Sequence, residues 1–314
     1  MYQKYLRRLV KRTIALIYRK KVNVLVILFK TITTIYLNYR IKCNTMNSIL
    51  ASVKNIILVA SGNRGVGKST IAAKLAITLS NEGYATGFFD ADLFGSTIPL
   101  IQDFEGIGPE IAQEGEKIIF SPPIKFGVKI MSLRFLINKK DVIDLKLIAS
   151  NMLIQLIKNT NWGELDYLVF NLPPGNGDIS LTLAQKFPGA KILIVITSQQ
   201  TEITKGQKII KLFKHSGFET PILGIVENMS YFIPEKHPDD KYKLFSQEGG
   251  KQLSKEQNIP LVAQIPFVSE VFELGNTGKT IFDSSNMIIK EVFHDIAKKI
   301  NKKSVNPSVI SQIL

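Results

Sequence analysis

The run Gly62-Asn63-Arg64-Gly65-Val66-Gly67-Lys68-Ser69 has the spacing of a phosphate-binding loop, a glycine followed five residues later by Gly-Lys-Ser. Glycines let the backbone turn until several N–H groups face one anion, and a helix starting just beyond adds its positive dipole end. Lys68 then reaches the terminal phosphates of a nucleoside triphosphate, and the Ser69 hydroxyl completes the shell of a magnesium ion. The bland alternative is a glycine-rich turn with an exposed lysine. It is disfavoured by context, because a strand-like segment precedes the loop and a helix-like one follows.

Two further segments carry polar groups suited to the same chemistry. Asp90-Ala91-Asp92 follows the apolar run Tyr84 to Phe89, so two carboxylates emerge at the C-terminal end of a strand, where open α/β sheets place their ligands. Asp90 is expected to hold a magnesium-bound water and Asp92 to orient the attacking water near the γ-phosphate. A second apolar run, Leu165 to Phe170, ends in Asn171. A carboxylate is expected there to hold the magnesium shell. The Asn171 side-chain oxygen can still accept from a metal-bound water, but the negative charge is gone. A unit charge about 4 Å from another is worth about 4 kcal/mol at an effective dielectric of 20, so binding is expected to survive more easily than hydrolysis.

These residues need a sheet to position them. Asn55 to Ala60 reads as a buried strand, and Ala72, Leu75, Ala76 and Leu79 recur at helical spacing. From residue 50 onward strands and helices alternate, which predicts an α/β fold, a mainly parallel sheet with helices on both faces. The strand candidates are 55–60, 84–89, 165–171, 191–196, 221–227 and 260–265. The helix candidates are 68–81, 142–158, 201–216, 246–257 and 284–300. The stretch 103–130, with its glycines and Pro122-Pro123, suits an irregular excursion or a small hairpin. Residues 51–314 form a single domain on this reading.

The chain of 314 residues is 45% apolar and 21% charged, ordinary for a globular protein. Its charge is unevenly spread. Residues 1–54 hold twelve Lys and Arg and no acid, so the totals of 40 basic and 26 acidic residues fall to 28 and 26 for the remainder. A near-neutral body removes the main argument for nucleic-acid binding. Residues 1–50 form a basic leader, in which Val22 to Tyr39 carries one charge, Lys30. A lysine near mid-span costs about 2.5–3.5 kcal/mol on insertion, so a membrane span is disfavoured. A membrane or interaction segment, a removed targeting segment and translation from a start upstream of Met46 stay open. Cys43, the only cysteine, lies in this leader. No internal disulfide and no cysteine-based zinc site can form, which fits a reducing, cytoplasmic setting.

SGNRGVGKST at 61–70, DADLFGSTIP at 90–99, NLPPGNGDISLTLAQ at 171–185, ENMSYF at 227–232, Gln264-Ile265-Pro266 and the Gly275 to Thr280 turn occur in one order. Together they resemble the Mrp/ApbC-like family of deviant P-loop ATPases, iron–sulfur cluster carriers related to the ParA and MinD proteins. The match spans roughly residues 53–300. The resemblance implies a homodimer that binds ATP and magnesium at facing loops, with Gly62 to Thr70 on the phosphates and Asp92 in the first switch. It also implies Asn228 and the Gln264 to Pro266 turn near the adenine base, and iron–sulfur apoproteins or assembly factors as partners.

Three departures stand out. Members carry a lysine early in the loop that reaches the partner's nucleotide. Here the residue is Asn63, followed by Arg64 where a glycine is usual. Arg64 supplies a positive charge, on a longer and planar group. The second departure is Asn171 in place of the family's Walker B aspartate. The third is the absence of the CxxC that many members carry after ENMSYF; this chain has Ile233-Pro234-Glu235-Lys236-His237-Pro238. A four-thiolate cluster site has no ligands in that loop. Two alternatives follow, a hydrolysis-impaired nucleotide-dependent scaffold and a positioning ATPase of the ParA/MinD type. The second would need a membrane helix or basic face, for which Lys298, Lys299, Lys302 and Lys303 are a small cluster.

Overall fold

The computed structural model describes residues 52–92, 108–114, 117–135, 149–175, 178–215, 220–234, 237, 240–245, 248–268 and 279–304. The basic leader, Cys43 and most of the Gly275 to Thr280 turn lie outside the described residues. Among the described residues no helix is long and apolar enough to cross a membrane.

The segment Val53–Ala60 (β1) is a central strand, parallel to Leu165–Asn171 (β7) on one side and Lys191–Ile196 (β8) on the other. A strand flanked on both edges is apolar along the length that is covered on both faces. Ile57, Leu58 and Val59 are accordingly all fully buried. Thr86–Asp90 (β2) pairs with β7, and Ile222–Glu227 (β9) with β8. After a short antiparallel pair, Tyr231–Phe232 (β10) with Tyr242–Lys243 (β11), Leu261–Gln264 (β12) closes the far edge on β9, again parallel.

Alternate residues of this sheet feed two cores. Ile57, Val59, Tyr167, Val169, Leu193 and Val195 pack with Lys68–Asn81 (α1) and with Met287–Ser304 (α6), whose Ile289, Phe293 and Ile296 are buried there. Phe170 points to the other face, with its ring 5.3 Å from that of Phe187, just past Asp178–Lys186 (α3). Gln200–His215 (α4) lies on β8 and packs with Gly249–Gln257 (α5). The expected parallel sheet with helices on both faces is therefore the fold.

Two strands of the main sheet were not expected. The excursion at 103–130 does contain a hairpin, Glu110–Glu114 (β3) with Lys117–Ser121 (β4), antiparallel from Glu110↔Ser121 to Glu114↔Lys117. It is followed by Ile124–Lys125 (β5) and Val128–Ser132 (β6), and β6 joins the main sheet parallel to β2. The sheet order is β12-β9-β8-β1-β7-β2-β6-β5. Val128, Ile130 and Met131 are fully buried, so β6 is a core strand and takes up the last three residues of the expected excursion. The N-terminal ends of α5 and α6 lie later than expected, at Gly249 and Met287; ahead of α6 a single 3₁₀ turn, Ile281–Asp283, is held by a Thr280 and Asp283 capping box.

Candidate functional site

Register brings the polar residues together. Asp90 ends β2 opposite Asn171 of β7 and opposite Ser132 of β6, while Val59 of β1 also faces Asn171. Four strand ends thus stop at one level beside the loop that follows β1. That loop turns through left-handed backbone at Gly65 and Gly67, with φ of 85° and 83°. Gly67 caps α1 by accepting from the Ile71 amide at 2.9 Å.

The loop is held from three sides. Ser61 Oγ donates to the Asn63 carbonyl at 2.8 Å, and the Gly175 amide donates to the Ser61 carbonyl at 2.9 Å. Asn228, just beyond β9, donates from Nδ2 to the Val66 carbonyl at 2.9 Å. A Cβ on Gly67 would collide with that same nitrogen. Asn63 donates to Glu202 of α4 at 2.9 Å, so it is tied back to the body of the fold, and Arg64 is exposed.

Inside the loop lies a buried ionic cluster. Lys68 Nζ donates to Asn171 Oδ1 at 2.6 Å, to Asp92 Oδ2 at 3.2 Å and to Ser69 Oγ at 3.4 Å. The Asn171 Nδ2 donates to Asp90 Oδ1 at 2.8 Å and to Ser69 Oγ at 3.2 Å. Asp90 Oδ1 also accepts from the Asp92 amide at 3.1 Å. Burial pushes the Lys68 pKa down, against the pull of Asp92 and Asp90. Burial likewise raises Asp90 to about 6, with Arg134, Asn171, the Asp92 amide and Lys68 all opposing. Removing two such charges from water is costly unless every lone pair and proton finds a partner. Asp92 Oδ1 is buried and finds none among the described residues.

Sequence reasoning missed Arg134, Glu202 and Lys74. Arg134, in the 3₁₀ turn Leu133–Phe135 after β6, donates from Nη2 to the Asp92 carbonyl at 2.9 Å, and its Nε lies 3.6 Å from Asp90 Oδ2. Its signal was the basic residue just past the apolar run Val128 to Ser132, which went unread because the strand did. Glu202 is a buried acid in the first turn of α4. Lys74 sits among buried residues of α1 and carried no signal beyond interrupting an apolar stretch.

The remaining expected residues gather on the outer side of the loop. Gln264 Nε2 donates to Glu227 at 2.9 Å and to Ser230 at 3.2 Å, which fastens the Ile265-Pro266 turn to the end of β9. A shallow, partly open pocket lies there, bordered by Gly67, Thr70, Lys74, Asn228, Pro266 and Phe293. The structure therefore divides the expected residues into two groups. Lys68, Ser69, Asp90, Asp92 and Asn171 form the buried cluster, and Thr70, Asn228 and Pro266 form the pocket wall.

Residues 52–301 match the family model described as ParA, NUBPL iron-transfer P-loop NTPase. The iron–sulfur cluster carrier protein of Synechocystis is 39% identical over 233 residues, covering 74% of this chain and 65% of its own length. The chain thus spans about two thirds of that relative. The iron–sulfur cluster transfer protein NUBPL of Dictyostelium discoideum is 36% identical, with 81% and 78% covered. Among solved structures, a nucleotide-binding protein of Archaeoglobus fulgidus in complex with ADP is 30% identical, with a TM-score of 0.64 over 79% of this chain and 93% of that one. Pyrococcus furiosus MinD, 19% identical with a TM-score of 0.55 over 79% of this chain and 99% of its own, shares the fold. A loop, a sheet order and a family match that coincide over the same residues leave one assignment: the chain belongs to the NUBPL iron-transfer P-loop NTPases of the ParA group.

Proposed function

We propose that this protein is a cytoplasmic, ATP-binding component of iron–sulfur cluster assembly that acts as a homodimer and delivers clusters to apoproteins. The observation that carries the nucleotide part is the loop at Gly62 to Thr70, anchored by Asn228 and backed by Lys68 and Asp92. The relatives named iron–sulfur cluster carriers support the cargo. In this reading Lys68 and the loop amides take the β- and γ-phosphates, and Lys68 exchanges Asn171 for a phosphate oxygen. Asn228 and Pro266 border the base.

Magnesium fits part of the donor set. The Ser69 hydroxyl is an oxygen ligand, Asp90 is a carboxylate at the same level, and the unpartnered Asp92 Oδ1 can accept from a metal-bound water. Asn171 fits less well, because it turns its amide nitrogen, a donor, toward Ser69 and Asp90. When bound, the ion would offset charge on the phosphates. The cluster itself, as cargo, must find ligands other than thiolates of residues 46–314, which contain no cysteine.

That orientation of Asn171 favours a second reading, a nucleotide-dependent scaffold that binds ATP and turns it over slowly. Calorimetry of the full chain with ATP, ADP and their magnesium complexes tests the nucleotide part, and no heat of binding with any of them would refute it. Anaerobic incubation with iron and sulfide, followed by absorbance and metal content, tests the cargo. Stoichiometric loading supports carriage; ATP binding without loading supports the scaffold.

A further inference from the structure

The pocket beside the phosphate loop holds one charged side chain that the preceding reading does not use. Lys74 stands on α1 one helical turn beyond Thr70, and only 7% of its surface is exposed. It borders the same pocket as Gly67, Thr70, Asn228 and Pro266. Among the described residues its ammonium has no hydrogen bond and no carboxylate partner, and burial alone pushes its pKa down to about 8. An ammonium on a chain buried that far loses much of its hydration, and an acceptor placed in the pocket would restore what is lost.

Position and chemistry narrow the ligand. Side chains on a helix lean toward its N-terminus, so Lys74 leans back toward Thr70 and the loop. Its Cα lies about 6 Å along the helix from that of Thr70, on the side away from the terminal phosphates. An ammonium only donates, and needs an acceptor. Asn228 has committed its Nδ2 to Val66, which leaves its Oδ1 to accept. The wall therefore offers one donor and one acceptor. Adenine presents the complement, an exocyclic amine that donates and flanking ring nitrogens that accept.

We propose that Lys74 is a specificity-determining residue of the nucleotide site, its ammonium donating a hydrogen bond to a ring nitrogen of an adenine base seated in this pocket while Asn228 Oδ1 accepts from the amine. This rests on the nucleotide reading above and adds to it a residue that selects the base.

The test compares ATP, 7-deaza-ATP and 1-deaza-ATP by calorimetry on the full chain, native and Lys74→Met. The native protein is expected to bind one of the two deaza analogues about tenfold or more weaker than ATP, the range of a hydrogen bond to a charged group. Lys74→Met should bind all three alike, at the weakened level. Without nucleotide it should melt no lower than the native protein, since it replaces a buried charge by an apolar chain of similar length. Discrimination that persists in Lys74→Met overturns the proposal, as does an equal loss for all three ligands, an unchanged affinity for ATP, or a marked fall in melting temperature. A native protein that binds neither ATP nor either analogue refutes the nucleotide reading itself, a result distinct from each of these.

Discussion

Lys68 makes its shortest hydrogen bond to Asn171, whose Oδ1 accepts from the ammonium at 2.6 Å, against 3.2 Å for the contact with Asp92. The lysine that distinguishes the loop thus rests on a neutral amide. The other end of that amide donates to Asp90, so Asn171 serves as a spacer between a cation and an anion that are both buried. With Arg134 the cluster holds two cations and two carboxylates. A carboxylate at position 171 would disturb that balance in a direction that can be measured.

Asn171→Asp should lower stability and raise turnover together. Its carboxylate would replace a donor 2.8 Å from Asp90 Oδ1 by a like charge, and one of the pair would be forced to keep a proton. A loss of about 2 kcal/mol in the nucleotide-free protein is expected. Magnesium with ATP should recover most of it, and phosphate release should rise by about tenfold or more. Thermal unfolding with and without magnesium-ATP, beside a phosphate-release assay, checks both. A variant as stable as the native protein would show that the amide bridge contributes nothing.

Lys68→Ala should weaken ATP binding by about a hundredfold or more, because the loop amides lose the cation that offsets the terminal phosphates. It also removes the ion pair that Lys68 makes with the buried Asp92 carboxylate, so the variant is expected to lose about 1–3 kcal/mol of stability. Calorimetry on samples first shown to be folded by circular dichroism separates the two effects. Retained tight binding would contradict the role given to Lys68.

The loop, the central strands and α1 were legible because their signals are local. β7 at Leu165–Asn171 and β8 at Lys191–Ile196 follow from the apolar runs Tyr167 to Phe170 and Ile192 to Ile196, which suit a doubly covered parallel strand. β6 escaped because Lys129 breaks its run and Pro122, Pro123 and Gly127 crowd the residues just before it; its lysine instead reaches the Trp162 carbonyl at 2.6 Å. Arg134 followed from that omission, since its place beside Asp90 exists only once β6 lies next to β2. The orientation of the Asn171 amide was beyond reach for another reason. It depends on which neighbours donate and which accept, and those neighbours, Lys68 and Ser69 on α1 and Asp90 on β2, lie on two separate segments.

Gly67→Ala should cost both binding and stability. A left-handed φ of 83° is strained for alanine by about 1–2 kcal/mol, and the added methyl would displace the Asn228 amide from Val66. Loss of that bond also frees the wall on which the base is proposed to rest. The expected results are a melting temperature lowered by several degrees and ATP binding below detection. An Asn228→Ala variant, which makes room for the methyl, should recover part of the stability and none of the affinity. Equal stability of Gly67→Ala and Gly67→Ala/Asn228→Ala would mean that the collision is not what costs.

Stability should depend on pH through Lys74 in a direction opposite to the usual salt-bridged lysine. Its folded pKa of about 8 lies below the ordinary 10.5, so between those values the unfolded chain binds more protons than the folded one. Folding stability from this group therefore rises as pH climbs from 8 to 10.5, and the penalty is fully present below 8. The upper bound of that penalty is about 3.5 kcal/mol, from roughly 1.4 kcal/mol per unit over about 2.5 units. Lys74→Met has no such charge to bury, so its advantage over the native protein should be greatest near pH 7 and shrink toward pH 10. Denaturant unfolding of both proteins across that range gives the difference directly. An advantage that stays flat with pH would mean that the Lys74 ammonium is not desolvated in the folded protein.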